Sequence, residues 1–344
     1  MHDLYQTHYR TSIRTYCNHK NILYREQGPR FASALRLMGS LRNTERLPGM
    51  LRPIALRGVL DRIAGLLGSR SVAGHTIGQY LYYRDGARVR MCIDAEDNGE
   101  IRIPEFLAWS DLYFKTNYWP DRAYPSKVTP LANVNPRVLP RLAELRQYRK
   151  TPADFDVFAF FRVWGRIDHN LALFESLARL RCRKKLLAYL ISADRAGEIE
   201  RLEKAGVCWT TRSIPLEELW DLAARSRLNI VRHGVEDCIP WRMTDMLAMG
   251  HCPVLDYRAR TQWHVPLVEG VHYLSLDVSP DDPLPPEEFT RRVVDRVESW
   301  LTTENLIESG SENAAAYFDD YMTPDAMGGY IVEQCRRAAE AAAP

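Results

Sequence analysis

The residues best suited to chemistry lie in one stretch of the chain, residues 228–273. An apolar run typical of a β-strand leads into His233 and Gly234, and two acids, Glu236 and Asp237, follow in the loop. An imidazole, a glycine turn and two carboxylates at a strand end can contact a phosphate or a sugar, and can move a proton. We therefore take this loop as the centre of a candidate site, with His233 and Asp237 as candidate catalytic residues.

A short helix that begins near Pro240 and stops at Gly250 adds a cation and a carboxylate to this stretch. Pro at a helix start and Gly just past its end are expected, because Pro lacks an N–H that would be unpaired there and Gly accepts the left-handed cap. Arg242 and Asp245 are three residues apart and share a face of the helix. An apolar run follows at Pro253, so we predict a strand-helix-strand unit with a charged rim, where open α/β sheets bind ligands.

The elements that must position this unit follow from the pattern after residue 150. The predicted strands are 156–161, 185–191, 207–209, 228–232, 253–256 and 272–276, and the predicted helices are 168–181, 195–205, 215–226, 240–249, 287–301 and 325–341. Apolar strands separated by amphipathic helices predict a parallel sheet covered on both faces. We expect an α/β protein with an atypical, smaller α/β domain at 1–150, a doubly wound domain at 151–310 and closing helices at 311–344.

The first half of the chain is less regular. Short helices and loops are expected up to residue 71, followed by the strand-like runs QYLYY and VRMCI. Asn98-Gly99 then precedes IRI, which predicts a hairpin turn, and a short helix and a strand are expected within 104–119. Residues 94–105 also come close to a calcium loop. A strand stands where such a loop needs a helix, so we expect a hairpin turn and no metal site.

Two more arginines follow the first strand of the second half, Arg162 and Arg166, on either side of a Gly-containing turn. If the six strands form one parallel sheet, these arginines, the acids after the fourth strand and Asp256 after the fifth meet at one rim. Guanidinium and backbone N–H groups hold phosphates, and a carboxylate accepts hydrogen bonds from ribose, so the rim suits a nucleoside diphosphate. The P-loop and G-x-G-x-x-G patterns do not occur, which argues against P-loop NTPases and the usual dinucleotide fold.

At this point a family resemblance can be stated. RHGVEDCIPWRMTDMLAMGHCPVLD, followed by VPLVEGVHYLSL, resembles the donor-binding half of GT-B glycosyltransferases, and FFRVWGRIDHNLALFESL resembles its opening. ENAAAYFDDYMTPDAMGGYIVEQC looks like the closing helices that cross back in this fold. The likeness covers about residues 151–340.

The resemblance implies a role for each donor-site residue. It implies diphosphate contact for Arg162, Arg166 and Arg242, and ribose contact for Asp245, which falls on the second acid of the Glu-x7-Glu subset. The first acid of that subset, near the sugar, falls on Asp237, with Glu236 and Gly234 beside it in the same donor-binding loop. Because this chain has Asp where those enzymes have Glu, inverting and retaining outcomes both stay open.

The implied activity is transfer of a sugar from a nucleoside-diphosphate sugar, the co-substrate, to a hydroxyl of a glycan or small-molecule acceptor. No metal and no further cofactor is required by that design. An acceptor hydroxyl is weakly acidic and needs a base under inversion. Asp94, at a strand end in the first domain, is our candidate base, with Asp97, Asp111 and His75 as alternatives.

Composition supports a cytoplasmic two-domain enzyme. The chain has 344 residues, 46% hydrophobic content, a net charge of +2 and seven cysteines without a C-x-x-C pair, which indicates reduced thiols. No apolar run is long enough to span a membrane, and the N-terminus lacks a signal peptide's apolar core.

Charge distribution leaves two alternatives open. Residues 1–75 hold 12 Arg or Lys against 4 Asp or Glu. This segment is a solvated helical face, or a peripheral contact for anionic lipid or a phosphorylated acceptor. The alternatives to an enzyme are a non-catalytic GT-B-like partner subunit and a nucleic-acid-binding protein. Sparse aromatic residues in the basic segment argue against the second.

Overall fold

The structure is a computed structural model that describes residues 23–24, 77–84, 87–135, 138, 141–234 and 236–341. Its strands are β1 (Leu23–Tyr24), β2 (Ile77–Arg84), β3 (Ala87–Asp94), β4 (Leu112–Lys115), β5 (Val128–Pro130), β6 (Phe155–Arg162), β7 (Lys184–Tyr189), β8 (Cys208–Thr210), β9 (Ser226–Val231), β10 (Pro253–Leu255) and β11 (Leu274–Ser275). Its helices are α1 (Pro104–Trp109), α2 (Leu142–Gln147), α3 (Ile167–Ala178), α4 (Ala196–Lys204), α5 (Leu216–Ala224), α6 (Trp241–Ala248), α7 (Pro286–Thr302), α8 (Leu306–Tyr321) and α9 (Pro324–Ala341).

Apart from β1, the basic segment 1–75 lies outside the described residues, and so does the alternative base His75. The predictions made for that segment therefore stay predictions. The six cysteines within the described ranges are free thiols. No helix in the described part of the chain combines the length and apolar content that a membrane crossing requires.

The first sheet is mixed, with strand order β1-β2-β3-β4-β5. β2 pairs antiparallel with β3, Arg84 opposite Ala87, whereas β3, β4 and β5 run parallel. The hairpin thus precedes β3, and our prediction of a hairpin turn at Asn98-Gly99 is wrong. Instead, the side-chain carbonyl oxygen of Asn98 accepts a hydrogen bond from the backbone N–H of Glu100 (2.9 Å), and this local turn leads into α1 and the parallel β4. The helix and strand expected within 104–119 are confirmed.

The second sheet is parallel throughout, with strand order β11-β10-β9-β6-β7-β8. In order of appearance along the chain this is 6-5-4-1-2-3, the order of doubly wound nucleotide-binding sheets. The predicted doubly wound parallel sheet is confirmed. The direction of winding reverses between β6 and β9, and the loops after these two strands therefore part to form a crevice at the carboxyl edge.

Residues of β6 show why this sheet is covered on both faces. Val157, Ala159 and Phe161 are buried in a cluster with α3 and α7, whereas Phe158 is buried in a cluster with α5, α6 and α8. Alternate residues of one strand thus face two helical layers, which is why the strand reads as a nearly continuous apolar run.

The last helix, α9, packs on the first sheet. Its Tyr330 hydroxyl donates to the carbonyl oxygen of Pro130 in β5 (3.1 Å), and Cys335 lies 3.6 Å from the sulfur of Met91 in β3. The helices expected at 287–301 and 325–341 are confirmed, with α8 between them. The chain therefore starts and ends its described portion in the layer of the first sheet.

Gly250 ends α6 as the sequence predicts. Its φ is 64°, its N–H donates to the carbonyl of Leu247 (3.1 Å), and the N–H of His251 donates to that of Met246 (2.9 Å). These are the two bonds of a Schellman cap. A Cβ at Gly250 would lie 3.0 Å from Arg149, so both the backbone conformation and the packing require glycine here.

We expect Gly250→Ala to lower the free energy of unfolding by about 1–2 kcal/mol, because the left-handed conformation is strained for alanine. The matched control is Gly197→Ala in α4, where a Cβ meets nothing within 4 Å. It should leave stability unchanged or raise it slightly. Urea unfolding followed by tryptophan fluorescence measures both, and equal stabilities for the two variants would contradict the role given to Gly250.

Candidate functional site

The carboxyl ends of strands in the two sheets face each other across the junction of the domains. Tyr118, after β4, accepts through its backbone carbonyl a hydrogen bond from the N–H of Gln262, after β10 (2.8 Å). The guanidinium of Arg260 lies 5.1 Å from the ring centroid of Trp119. Because the loop after β4 contacts the loop after β10, the candidate site has two walls, one from each domain.

A cluster of alternating charges lies on the second-domain wall. Arg166 Nη1 is 3.0 Å from Asp237 Oδ1, so the structure brings these two predicted residues together. The Tyr257 hydroxyl donates to Asp237 and accepts from Arg166 (3.1 Å). Arg260 contacts Asp237 (3.3 Å) and Asp281 (2.8 Å), and Arg166 also contacts Asp281 (3.2 Å). We call these five residues the rim cluster.

Arg232 directly follows β9 beside the rim cluster. Its side chain is partly buried and makes no hydrogen bond or ion pair with any residue that the structure describes. Loss of hydration lowers its pKa, the charge of Asp256 only partly opposes this, and the smaller effect of Arg166 lowers the pKa further. A guanidinium that has lost water without gaining a partner is costly, and an anion that reaches it is bound strongly.

Asp256 holds two histidines at the same rim. Its Oδ1 is 2.6 Å from His233 Nδ1 and accepts the backbone N–H of His233 (3.1 Å), and its Oδ2 is 3.2 Å from His169 Nε2. Burial alone would raise the pKa of Asp256, but the charge of His233 and the hydrogen bonds from both histidines outweigh it. The pKa of Asp256 therefore lies well below its usual range.

This arrangement defines what His233 can do. A carboxylate at Nδ1 favours a proton on that nitrogen, so Nε2 is the nitrogen left to meet a ligand, as an acceptor in the neutral ring and as a donor in the charged one. Nε2 of His233 is buried and has no hydrogen-bond partner among the described residues, and the ring is stacked on Tyr257 at 3.9 Å. His233 is thus an oriented imidazole with one nitrogen left for a ligand. The described residues contain no group of three or more His, Cys, Asp or Glu placed to hold a metal ion.

The remaining predicted rim residues occupy different parts of the crevice. Gly234 lies under Cys238, where a Cβ would approach the sulfur to 2.1 Å, so the loop can fold back only with glycine here. Glu236 is exposed, and its charge raises the pKa of Asp97 across the junction. Arg162 is exposed at the end of β6, where its guanidinium lies over aromatic rings.

Two predicted donor-site residues on α6 bind protein groups in this structure. Arg242 donates to the carbonyl of Phe160 in β6, and burial lowers its pKa to about 10. Asp245 is 2% exposed and accepts from Asn135 Nδ2 (2.7 Å) and Trp220 Nε1 (3.1 Å). The diphosphate contact expected for Arg242 and the ribose contact expected for Asp245 stay predictions, and in this structure both side chains bind protein groups.

Asp94 is also internal. It is 0% exposed and accepts from Lys115 Nζ (3.0 Å), the Tyr113 hydroxyl (2.7 Å) and the backbone N–H of Glu96 (3.0 Å). Burial raises the pKa of Asp94, opposed mainly by the charge of Lys115. The role of Asp94 as base stays a prediction, and in this structure its carboxylate is buried and bonded to Lys115 and Tyr113.

The sequence alone does not single out Arg232, His169, Arg260 or Asp281. They come from four separate loops and helix ends, and become neighbours only when β6, β9 and β10 align. The sequence does indicate the position of two of these residues. Arg232 is the first residue after a buried apolar strand, and His169 is the third residue of the helix after β6, so both positions belong to the rim of a parallel sheet.

Comparisons with known proteins give the following. No family model matches the chain. The tritrans,polycis-undecaprenyl-diphosphate synthase (GGDP specific) of Sulfolobus acidocaldarius is 36% identical over 72 residues, 20% of this chain and 27% of that protein. The match thus spans about a quarter of that relative.

Similar solved structures include several GT-B glycosyltransferases. Sucrose-phosphate synthase from Thermosynechococcus elongatus is 14% identical, with 69% of this chain and 61% of that chain covered and a TM-score of 0.47. MurG from Acinetobacter baumannii is 12% identical, with 71% and 66% covered and a TM-score of 0.40. Anabaena HepE in complex with UDP-glucose is 13% identical, with 70% and 71% covered and a TM-score of 0.45.

We expect Asp245→Ala to cost about 2–4 kcal/mol of unfolding free energy, because Asn135 and Trp220 lose a buried acceptor. The control, Asp168→Ala, removes a carboxylate that is 97% exposed in its ion pair with Arg201, and should cost far less. Urea unfolding measures both. Similar small losses in the two variants would contradict a structural role for Asp245.

Proposed function

We propose that this protein is a glycosyltransferase that holds a nucleoside-diphosphate sugar at the rim of the second sheet and transfers the sugar to an acceptor hydroxyl. The observation that carries the proposal is Arg232, a partly buried guanidinium without a partner among the described residues. It lies where the winding of the sheet reverses, beside a second arginine. A diphosphate supplies the negative charge that this position lacks.

Further groups around Arg232 support phosphate binding. α3 starts directly after Arg166 and has no side-chain cap; the N–H of Ile167 donates to the carbonyl of Gly165 (2.9 Å), and the next N–H groups of the first turn can bind an anion. Gly165 has a φ of 77°, which allows the sharp turn from β6 into that helix. Two guanidinium groups and a helix N-terminus thus lie around one crevice.

The rim cluster provides cations that can move to the ligand. Arg166 and Arg260 share Asp281, whose side chain is 49% exposed, and Asp237, whose side chain is 7% exposed. In the proposed complex these arginines leave the exposed Asp281 for the diphosphate, while Tyr257 keeps Asp237 in place. They then stabilise the charge that grows on the leaving diphosphate, so the reaction is proposed to need neither metal nor cofactor.

His233 completes the donor site in this proposal. Its Nε2 has no partner among the described residues, and its ring is fixed by Asp256. A donor sugar bound between the diphosphate and the first-domain wall would place a hydroxyl at that nitrogen. The preformed orientation favours binding because no rotamer freedom is lost when the hydrogen bond forms.

The test is Arg232→Gln, for which we expect two effects of opposite sign. The free protein should become more stable to urea, because a dehydrated charge without a partner is removed. The affinity for the diphosphate should fall about 10- to 100-fold, because charge-assisted hydrogen bonds are lost. Arg183→Gln is the control, since Arg183 pairs with Asp156 at the amino end of β7 and should change neither measurement much.

Affinity is measured by thermal shift with UDP, GDP, dTDP, CMP and ADP, since a ligand at 100 times its Kd adds about 2.7 kcal/mol of stability. No shift with any nucleotide, or equal shifts for wild type and Arg232→Gln, would refute the donor site. A nucleotide shift without sugar transfer or donor hydrolysis would favour the non-catalytic partner subunit instead.

A further inference from the structure

We infer that the first-domain wall of the cleft binds an uncharged, hydroxyl-rich acceptor, and that Asp97 is the base that takes the acceptor's proton. The inference rests on the proposed function and names the acceptor class for it. Asp97 lies three residues beyond the end of β3, in the loop that faces the second domain.

Asp97 differs from the other candidate bases of this domain. Its side chain is exposed, yet surrounding protein takes away enough hydration to raise its pKa, and the charges of Glu96 and Glu236 raise it further. Asp94 is fully buried, and Asp111 precedes β4 at the opposite edge, where it pairs with Arg90. Asp97 alone of the three combines access to solvent with a neighbour on the facing wall.

Unpaired polar atoms lie on the segment after β4, which contacts the loop of Asp97 through Asn117. Asn117 donates its Nδ2 to the carbonyl oxygen of Asp97 (2.6 Å), and its Oδ1 is buried without a partner among the described residues. The same holds for Thr116 Oγ1 and Trp119 Nε1 on this segment, and for Thr261 Oγ1 on the facing loop. Buried polar atoms of this kind are uncommon in native proteins, and water or a bound polar molecule supplies the missing partner.

These four residues lie close together. Tyr118 and Gln262 form an antiparallel β-bridge. Thr116, Asn117 and Trp119 lie within two residues of Tyr118, and Thr261 adjoins Gln262. The unpaired atoms comprise one N–H donor, one carbonyl acceptor and two hydroxyls, which both donate and accept. A sugar offers the complementary mixture, because each of its hydroxyl groups is donor and acceptor at once.

The charges next to Asp97 disfavour an anionic group at the reacting end of the acceptor. Loss of hydration raises the pKa of Asp97, the charges of Glu96 and Glu236 raise it further, and the opposing cations, Lys115 and Arg102, are paired with Asp94 and Glu96. An anion placed at Asp97 would meet the charges of Asp97 and Glu236 and is repelled there, whereas Arg122 and Arg260 lie farther along the wall, 5.2 and 5.1 Å from the ring centroid of Trp119. An uncharged polyol meets no such penalty.

The proposed step balances as follows. The acceptor hydroxyl oxygen forms a bond to the anomeric carbon of the donor sugar while the bond from that carbon to the diphosphate oxygen breaks. The diphosphate leaves with the electron pair toward the arginines of the rim cluster. The hydroxyl proton moves to the carboxylate of Asp97 and later to water.

Asp97→Asn and Asn117→Ala in the full chain test this. Transfer is assayed with the nucleotide sugar whose nucleotide gives the largest thermal shift, and methyl glucoside, methyl mannoside and methyl N-acetylglucosaminide are compared with their 6-phosphates. We expect Asp97→Asn to lower kcat at least about 100-fold and to remove the acid limb of the pH profile. Asn117→Ala should raise the acceptor KM about 10-fold with kcat retained.

Both variants should keep the wild-type nucleotide thermal shift, and the exposed Glu105→Gln of α1 should keep full activity. Activity retained by Asp97→Asn, or a preference for the 6-phosphates, overturns the inference. If no nucleotide binds, the donor proposal alone fails. Saturation-transfer NMR with the same glycosides then decides this site: binding that Asn117→Ala weakens supports it, and no binding of any glycoside refutes it.

Discussion

The buried carboxylate of Asp256 is the contact on which the rim depends. It follows β10, accepts the backbone and the ring of His233 after β9, and contacts His169 in the first turn of α3. Three elements that are far apart in the chain are thereby held at the point where the sheet reverses its winding. The carboxylate stays ionised there because two imidazoles surround it, which offsets the loss of hydration.

Around this fixed centre the two walls are unequal in charge. The second-domain wall carries Arg166, Arg232 and Arg260, and Arg232 is left without a partner among the described residues. The first-domain wall carries Asp97 beside two further acids. A molecule with an anionic end and an uncharged hydroxylated end matches this polarity when it lies across the cleft. Both walls keep charged groups that are not fully paired, and this lowers the stability of the free protein. Such a cost in stability is expected at a binding surface.

Much of the second domain was predictable because its signals are local. Apolar runs, helical periodicity and the stop at Gly250 specify strands and helices without knowledge of distant residues. The spacing of Arg242 and Asp245 correctly puts them on one face. It does not show that this face meets β6 and Asn135, because the contact joins residues about 110 positions apart. The hairpin predicted at Asn98 is wrong for a similar reason. An Asn-Gly pair predicts a turn, but it does not show whether the next strand pairs antiparallel at once or runs parallel after a helix.

The position of α9 on the first sheet has a consequence for biosynthesis. Met91 and Phe114 of that sheet are buried against Tyr330 and Cys335, which leave the ribosome after the whole second domain. The second sheet can close its core while translation continues, whereas the first sheet must wait with an uncovered apolar face. The second domain is thus the first to complete its fold, although it follows the first domain in the sequence. The nascent first sheet is the part that most needs protection from aggregation.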